Sequence, residues 1–441
     1  MITRVWIMVA AAAFAIVGCN IGGKYSVGGT LTGLVGQGLV LQDNKGDAVS
    51  LSSNETFVFR NDFKDKETYL VTVRTQPSNP AQTCTVHNGS GTINKANVTD
   101  VIVSCTRAGR FAYVANQLSN NLSVFSINPA SGFLAPVAGS PFAASATAPV
   151  ALAVDPNGRF LYVVGNGSND VAVFAIDATT GALTAAGLAS PTGSGPDAVA
   201  IDPTDSWLYV ANFSTNTVSA FTINASSGLL TEISGSPFGV GVGPSALKIG
   251  PTGNFLYVTD FASGNVDVLA IDSATGSLSR ISGAPFAAGA GPVSIGIDPA
   301  GTFAYVANGT AASISEYSIN ASTGALTLIS GSSLATVTSP KSLAVDTSGR
   351  YVYAANVTAA NHVAVYGITP SSGALALSSS PVAAGTLPTS IALDPSGLFA
   401  YVANDNSNDV SVYAISAVGA LTPVNGSPFG AGNQPRAIAV Y

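Results

Sequence analysis

Charge, histidine and sulfur are scarce in this 441-residue chain: charged side chains make up 9% of it, and it holds two histidines, three cysteines and two methionines. Each shortage removes a class of function. The net charge is −7, and Lys and Arg do not cluster as a nucleic-acid partner requires. Attraction to a polyanionic surface is disfavoured for the same reason. His362 is a lone loop histidine, and His87 has no His or Cys at ligand spacing other than Cys84. No metal site and no cofactor is therefore assigned. No apolar run after Val17 approaches 18 residues, so nothing beyond the N-terminus is fit to span a bilayer as a helix. A helical period sustained over ten residues is missing from the repeats described next.

What the chain has is a tyrosine that returns seven times: Tyr113, Tyr162, Tyr209, Tyr257, Tyr305, Tyr353 and Tyr401, at intervals of 49, 47, 48, 48, 48 and 48 residues. Self-similarity at such a period marks a fold built from repeated supersecondary units. Each unit opens with Pro and an alternating small and branched run, as in Pro196-Asp197-Ala198-Val199-Ala200-Ile201. A turn follows, as in Asp298-Pro299-Ala300-Gly301, with the Asp, Pro and Gly positions of a type I turn. Then come the tyrosine strand, a polar loop, a third strand such as Val171–Ile176, and a Gly-centred turn into a weaker fourth. Gly181, Gly228, Gly276, Gly324 and Gly373 are expected at positive φ. Four strands per unit make an antiparallel sheet that cannot bury both faces alone. Seven such sheets around an axis solve that problem and leave only short edges. The expected fold class is all-β: a seven-bladed propeller preceded by a small β-sandwich.

The first repeat begins at Arg110-Phe111-Ala112-Tyr113 and lacks its opening strand, and that strand reappears at the C-terminus as Pro435-Arg436-Ala437-Ile438-Ala439-Val440-Tyr441. The C-terminal strand is therefore expected to close the ring against the strand of Tyr113.

Residues 24–107 differ in character and read as the sandwich, with strand-like runs at Gly38–Leu41, Thr56–Phe59, Tyr69–Val73, Thr83–His87 and Val98–Ser104. Cys84 and Cys105 lie in this stretch, and none of the cysteines falls in the repeats. In an exported protein the two read as a disulfide, contributing roughly 3 kcal/mol by loop closure in the chain-entropy model. The N-terminus carries Arg4, an apolar run from Val5 to Val17, and Ile16-Val17-Gly18-Cys19. The run fits a signal-peptide core. The motif resembles a bacterial lipobox, which implies removal of residues 1–18, acylation of Cys19 and a linker over 19–23. Asn20 then favours the outer membrane, so a monomer anchored there by lipid is expected. The front module itself resembles one common in bacterial surface proteins, through Gly38-Leu39-Val40-Leu41, Tyr69-Leu70-Val71-Thr72-Val73 and Gln82-Thr83-Cys84-Thr85-Val86.

Four tyrosine strands read Tyr-Val-Ala-Asn: Tyr113–Asn116, Tyr209–Asn212, Tyr305–Asn308 and Tyr401–Asn404, with Tyr257-Val258-Thr259-Asp260 a near variant. In this they resemble the lactonase-like seven-bladed propellers of the YVTN repeat family. The resemblance covers residues 108–441 and implies a propeller. It also implies either a 6-phosphogluconolactonase-type hydrolase or a surface protein without a reaction. Such lactonases carry Pro-Arg-His at a blade opening and Asn-Glu after the tyrosine strand. Here Pro435-Arg436 is followed by Ala437, and Gln117, Gly167, Phe213, Gly309, Val357 and Asp405 follow the strand-end asparagines. The repeats hold one histidine, His362, and two glutamates, Glu232 and Glu316. No catalytic residue is assigned on that basis, and a binding or scaffolding module is the favoured reading, with a lactone hydrolase at the axial mouth as the alternative.

Recurrence points to structure, so the Asp-Pro-x-Gly turns and the asparagines read as caps for turns and strand ends. Asymmetry points to a site. The residue after each opening Pro is Val150, Asp197, Ser245, Val293, Lys341, Thr389 or Arg436, and Lys248 is the one charge further within an inner strand. Arg436, Lys341, Lys248 and Asp197 are expected to form a polar patch at the axial mouth that binds a protein or a small polar ligand.

Overall fold

The computed structural model describes residues 23–441, apart from 33, 35–36, 78–81, 108–110, 336–338 and 358–360. The Cys19 acylation and the signal peptide fall outside the described residues. Every regular element among the described residues is a β-strand, and the chain divides into two units between Arg107 and Ala108. No helix among the described residues is long and apolar enough to cross a membrane.

The front unit holds two four-stranded sheets. One is ordered Thr56–Val58, Val27–Thr32, Val98–Arg107, Gln82–His87, and the other Ala48–Leu51, Leu39–Asp43, Thr68–Thr75, Ser90–Thr92. Val27, Leu31, Leu39, Leu41, Phe57, Phe63 and Val103 belong to one core between them. The strand Val27–Thr32 is not evident in the sequence because Gly28-Gly29 weakens its β-propensity. The glycines are there for closeness: a Cβ at Gly29 would stand 1.7 Å from the carbonyl oxygen of Val101 on the neighbouring strand. Cys84 and Cys105 are directly opposed on paired strands and form a disulfide.

The second unit holds seven antiparallel sheets among the described residues, one for each tyrosine. Each blade runs outward from an inner strand to the tyrosine strand, a third strand and a fourth. Blade 2, for example, is ordered Pro149–Val154, Phe160–Gly165, Asp170–Ile176, Leu183–Ala185. Blade 1 takes its inner strand from the C-terminus: Val114 is registered with Ile438 and Tyr113 with Ala439, and Phe111 and Tyr441 exchange backbone hydrogen bonds of 3.1 and 3.0 Å. The closure read from the sequence is the closure of the fold.

The core is a series of layers between blades. Blade 1 packs on blade 2 through Tyr113, Val124, Leu161 and Val163, and blade 7 returns onto blade 1 through Tyr401, Val412, Val114 and Phe125. A second tie crosses several of the layers. The phenol of Tyr209 donates 2.9 Å to the carbonyl of Gly276 in the next blade, and Tyr162, Tyr305 and Tyr353 do the same to Gly228, Gly373 and Gly419. Gly276 has φ +70° and lies flat on Trp207, where a Cβ would come within 2.3 Å of the indole. Both the left-handed backbone and the ring beneath it require glycine.

The outer edge differs from the expected single fourth strand. In blades 1, 2, 3, 4 and 7 a further two-residue strand also pairs with the third strand. In blades 1, 3 and 7 a Ser-Pro pair precedes it (Ser140-Pro141, Ser236-Pro237, Ser427-Pro428), and proline cannot donate to a ladder. The serine bridges the break: Oγ of Ser140, Ser236 and Ser427 accepts the third-strand N–H of Val124, Ala220 and Val412 at 2.8–3.0 Å.

Candidate functional site

The seven inner strands each neighbour two others and so enclose a tube. Each carries a register shift directly after its opening proline. A β-bulge of this kind leaves one residue out of the ladder and re-aims its side chain. The residues left out are Val150, Asp197, Ser245, Val293, Lys341, Thr389 and Arg436, and all seven line a cavity of about 510 Å³ at the end of the tube where the strands begin. A second hollow of about 550 Å³ lies at the rim between blades 7 and 1, lined by Phe133, Leu398, Phe399 and neighbours without a titratable group. The mouth is therefore the candidate with chemistry.

Most hydroxyls at the mouth are used to tie the tube together. Oγ of Ser294, Ser342 and Ser390 accepts a backbone N–H from the next inner strand, and Ser245 and Thr389 donate to the carbonyls of Pro292 and Pro435. The charged groups are differently placed. Arg436 is held by Asp405, 3.1 Å from the nearly buried carboxylate. Lys341 and Asp197 make no side-chain hydrogen bond among the described residues. Desolvation in the tube raises the Asp197 pKa above the ordinary carboxylate value, and the Arg436 charge offsets part of that rise.

Of the four residues expected at the mouth, the structure brings together Asp197, Lys341 and Arg436. It does not place Lys248 with them. Lys248 is registered with Tyr257, two positions further along its strand than Ala246, the residue at the mouth registered with Thr259. It lies three residues along the strand from Ser245, about 10 Å of rise. It is solvent-accessible within the tube, yet walls on every side desolvate its ammonium and lower its pKa. In the sequence Asp405 marks only a departure from Asn-Glu; its role as the support of Arg436 depends on a contact 31 residues away.

The repeated polar residues are structural. Oδ1 of Asp202 accepts the N–H groups of Ser206 and Trp207 at 2.7 and 2.6 Å, and Asp298 and Asp346 do the same in their own turns. Nδ2 of Asn308 donates to Ser313 and Ser315 at 3.1 and 2.9 Å. Among the described residues, no group of three or more His, Cys, Asp or Glu side chains converges as metal ligands do.

The profile of the family described as "Lactonase, 7-bladed beta-propeller" matches residues 48–242 and 241–434. The chain belongs to this lactonase propeller family. No curated protein matches it in sequence. Among solved structures it is similar to a candidate 6-phosphogluconolactonase from Bacteroides uniformis, at TM-score 0.68 and 21% identity over 76% of this chain and 100% of that one. A Bacteroides fragilis protein of the same description gives 0.66 and 20% over 76% and 98%. The periplasmic gluconolactonase of Pseudomonas aeruginosa gives 0.65 and 19% over 75% and 98%. At these identities the likeness to each structure is one of fold.

Proposed function

We propose that the axial mouth of this lactonase-family propeller is a hydrolytic site for a small polar lactone of the sugar-acid class. The observation that carries the reading is the convergence of one carboxylate, Asp197, with two cations, Lys341 and Arg436, on a ring of bulge residues whose other members are Val or hydroxylic. Lactone opening needs a base for water and a positive group for the developing oxyanion. Asp197, with its raised pKa and no competing hydrogen bond, takes the role of base. Arg436, oriented by Asp405, and Lys341, unpaired, supply the positive field and an anchor for an anionic or polyhydroxylated substrate. The absence of Pro-Arg-His and Asn-Glu means that these residues would do the work without the family's usual groups. The lipobox-like Ile16–Cys19 supports an exported, lipid-anchored setting in the outer membrane, where Cys19→Ser is expected to abolish palmitate labelling.

The test is acid release from a panel of sugar and aryl lactones by the full-length protein in detergent. Turnover is expected, with kcat/KM lowered at least about 100-fold in Asp197→Asn and lowered in Arg436→Ala. No turnover of any lactone, or turnover indifferent to Asp197→Asn, rejects the reading. A propeller that only binds partners would behave in that way.

A further inference from the structure

Blade 4 breaks a hydrogen-bonding rule that four of its sisters keep. In blades 1, 3, 5 and 7 the strand-end asparagine donates through Nδ2 to oxygens five and seven residues on. Asn116 reaches Asn121 and Ser123 at 2.8 and 2.9 Å, Asn212 reaches Thr217 and Ser219 at 3.1 and 3.0 Å, and Asn404 reaches Asp409 and Ser411 at 2.7 and 2.9 Å. In blade 4 the three positions are Asp260, Asn265 and Asp267. The donor has become a carboxylate, and the serine hydroxyl that could donate or accept has become a second carboxylate.

The result is a buried set of oxygens without protons. Asp260 and Asp267 are both 0% exposed. Neither carboxylate oxygen of Asp260 has a hydrogen-bond partner of normal geometry among the described residues, and the same is true of Oδ1 of Asn265 and Oδ1 of Asp267. The remaining oxygen, Oδ2 of Asp267, is served by Arg280 at 2.7 Å and by the backbone N–H of Gly241 at 2.8 Å. Two buried negative charges thus face one guanidinium. Leaving an ionised carboxylate buried and unpaired is far costlier than leaving a neutral polar group so. Turning the Asn265 amide over would supply one donor and leave the charge in place.

We propose that this pocket of blade 4 binds a hard divalent cation of the calcium class, with Asp260, Asn265 and Asp267 as its protein ligands. The donor set is all oxygen and anionic, which excludes soft metals. Calcium accepts irregular oxygen shells completed by water, whereas magnesium demands a near-ideal octahedron. Asn265, at the strand end and the least buried of the three, marks the side from which the ion and its waters would enter. Because Arg280 already holds one Asp267 oxygen, the affinity belongs with weak extracellular sites, with Kd on the order of 1 mM. The third ligand is an amide, so a search for clusters of acids, histidines and cysteines would pass over it. Without the ion, desolvation first and then the Asp267 charge push the Asp260 pKa up to about 8, with Arg280 and the Asp267 backbone N–H pulling the other way.

The test uses the full chain at constant ionic strength near neutral pH, with calcium chloride followed by calorimetric titration and by thermal unfolding. The comparison is Asp260→Asn/Asp267→Ser, which installs the pair found in blades 1, 3, 5 and 7 and so has four folded precedents in the same ring. The wild type is expected to take up calcium saturably and to gain about 2 °C in Tm, and the double variant to do neither. A wild type that shows no saturable uptake, or a double variant that responds equally, overturns the proposal. A wild type whose Tm ignores calcium but falls with rising pH overturns it too, and identifies a proton as the neutralising charge.

Discussion

At the end of the inner strand away from the mouth, five of the seven blades repeat one device: Asp155, Asp202, Asp298, Asp346 and Asp394 each accept the two N–H groups that open the tyrosine strand. At the mouth end the same seven strands carry Val150, Asp197, Ser245, Val293, Lys341, Thr389 and Arg436 on equivalent bulges. One end is a repeated solution to a folding problem, and the other is a set of individual choices on identical backbone. The bulge makes this separation possible. It takes a residue out of the ladder without disturbing the pairs beyond it, so that position varies at little structural cost.

The comparison can be broken most severely at the seam. Deletion of residues 435–441 removes the inner strand of blade 1 and is expected to cost several kcal/mol or more, read as loss of the cooperative unfolding transition by circular dichroism. A melting curve superimposable on that of the intact chain would reject ring closure by the tail. Next in size is Gly276→Ala, which forces a side chain into positive φ against Trp207. A loss of about 3 kcal/mol in denaturant unfolding is expected, whereas Gly239→Ala, with nothing within 4 Å of the added Cβ, is expected to be mild. Asp260→Asn should stabilise, and the sign follows from linkage. A carboxyl raised from 3.8 to about 8 in the fold keeps its full contribution below about pH 4 and loses it progressively as pH climbs to about 8. In the presence of a chelator, the variant should gain on the order of 2 kcal/mol over wild type at the upper end of that window and nothing at the lower end. The smallest stability effect belongs to the mouth: Lys341→Ala should leave unfolding unchanged within about 0.5 kcal/mol while weakening lactone turnover. If Lys341→Ala destabilised as Gly276→Ala does, the division between structural and chemical ends would fail.

The sevenfold tyrosine spacing, the Asp-Pro-x-Gly turns and the displaced final strand made the ring legible, because each was stated several times over in one chain. The bulge ring was legible for a related reason: the residue after each proline could be lined up across repeats before its geometry was known. What repetition does not state stayed hidden. The two-residue outer strands are shorter than any period, and Val27–Thr32 is masked by the glycines that let Phe57 and Val101 approach it. Lys248 stood out correctly as a lone charge in an inner strand, but its distance down the tube depends on rise and register that composition does not carry. The roles of Asp405 and Arg280 are not legible in the sequence because each matters only through a partner on another strand, Arg436 and Asp267 respectively.

The pairing of Phe111 with Tyr441 has a practical side. Inner strands run from the mouth to the turns, so the polypeptide enters and leaves the ring at neighbouring points on the underside. A tag or tether appended after Tyr441 would emerge there and leave the opening clear. Conversely, a ribosome has made six complete blades before the strand that finishes the first one exists, so the ring stays ajar until residues 435–440 have been added.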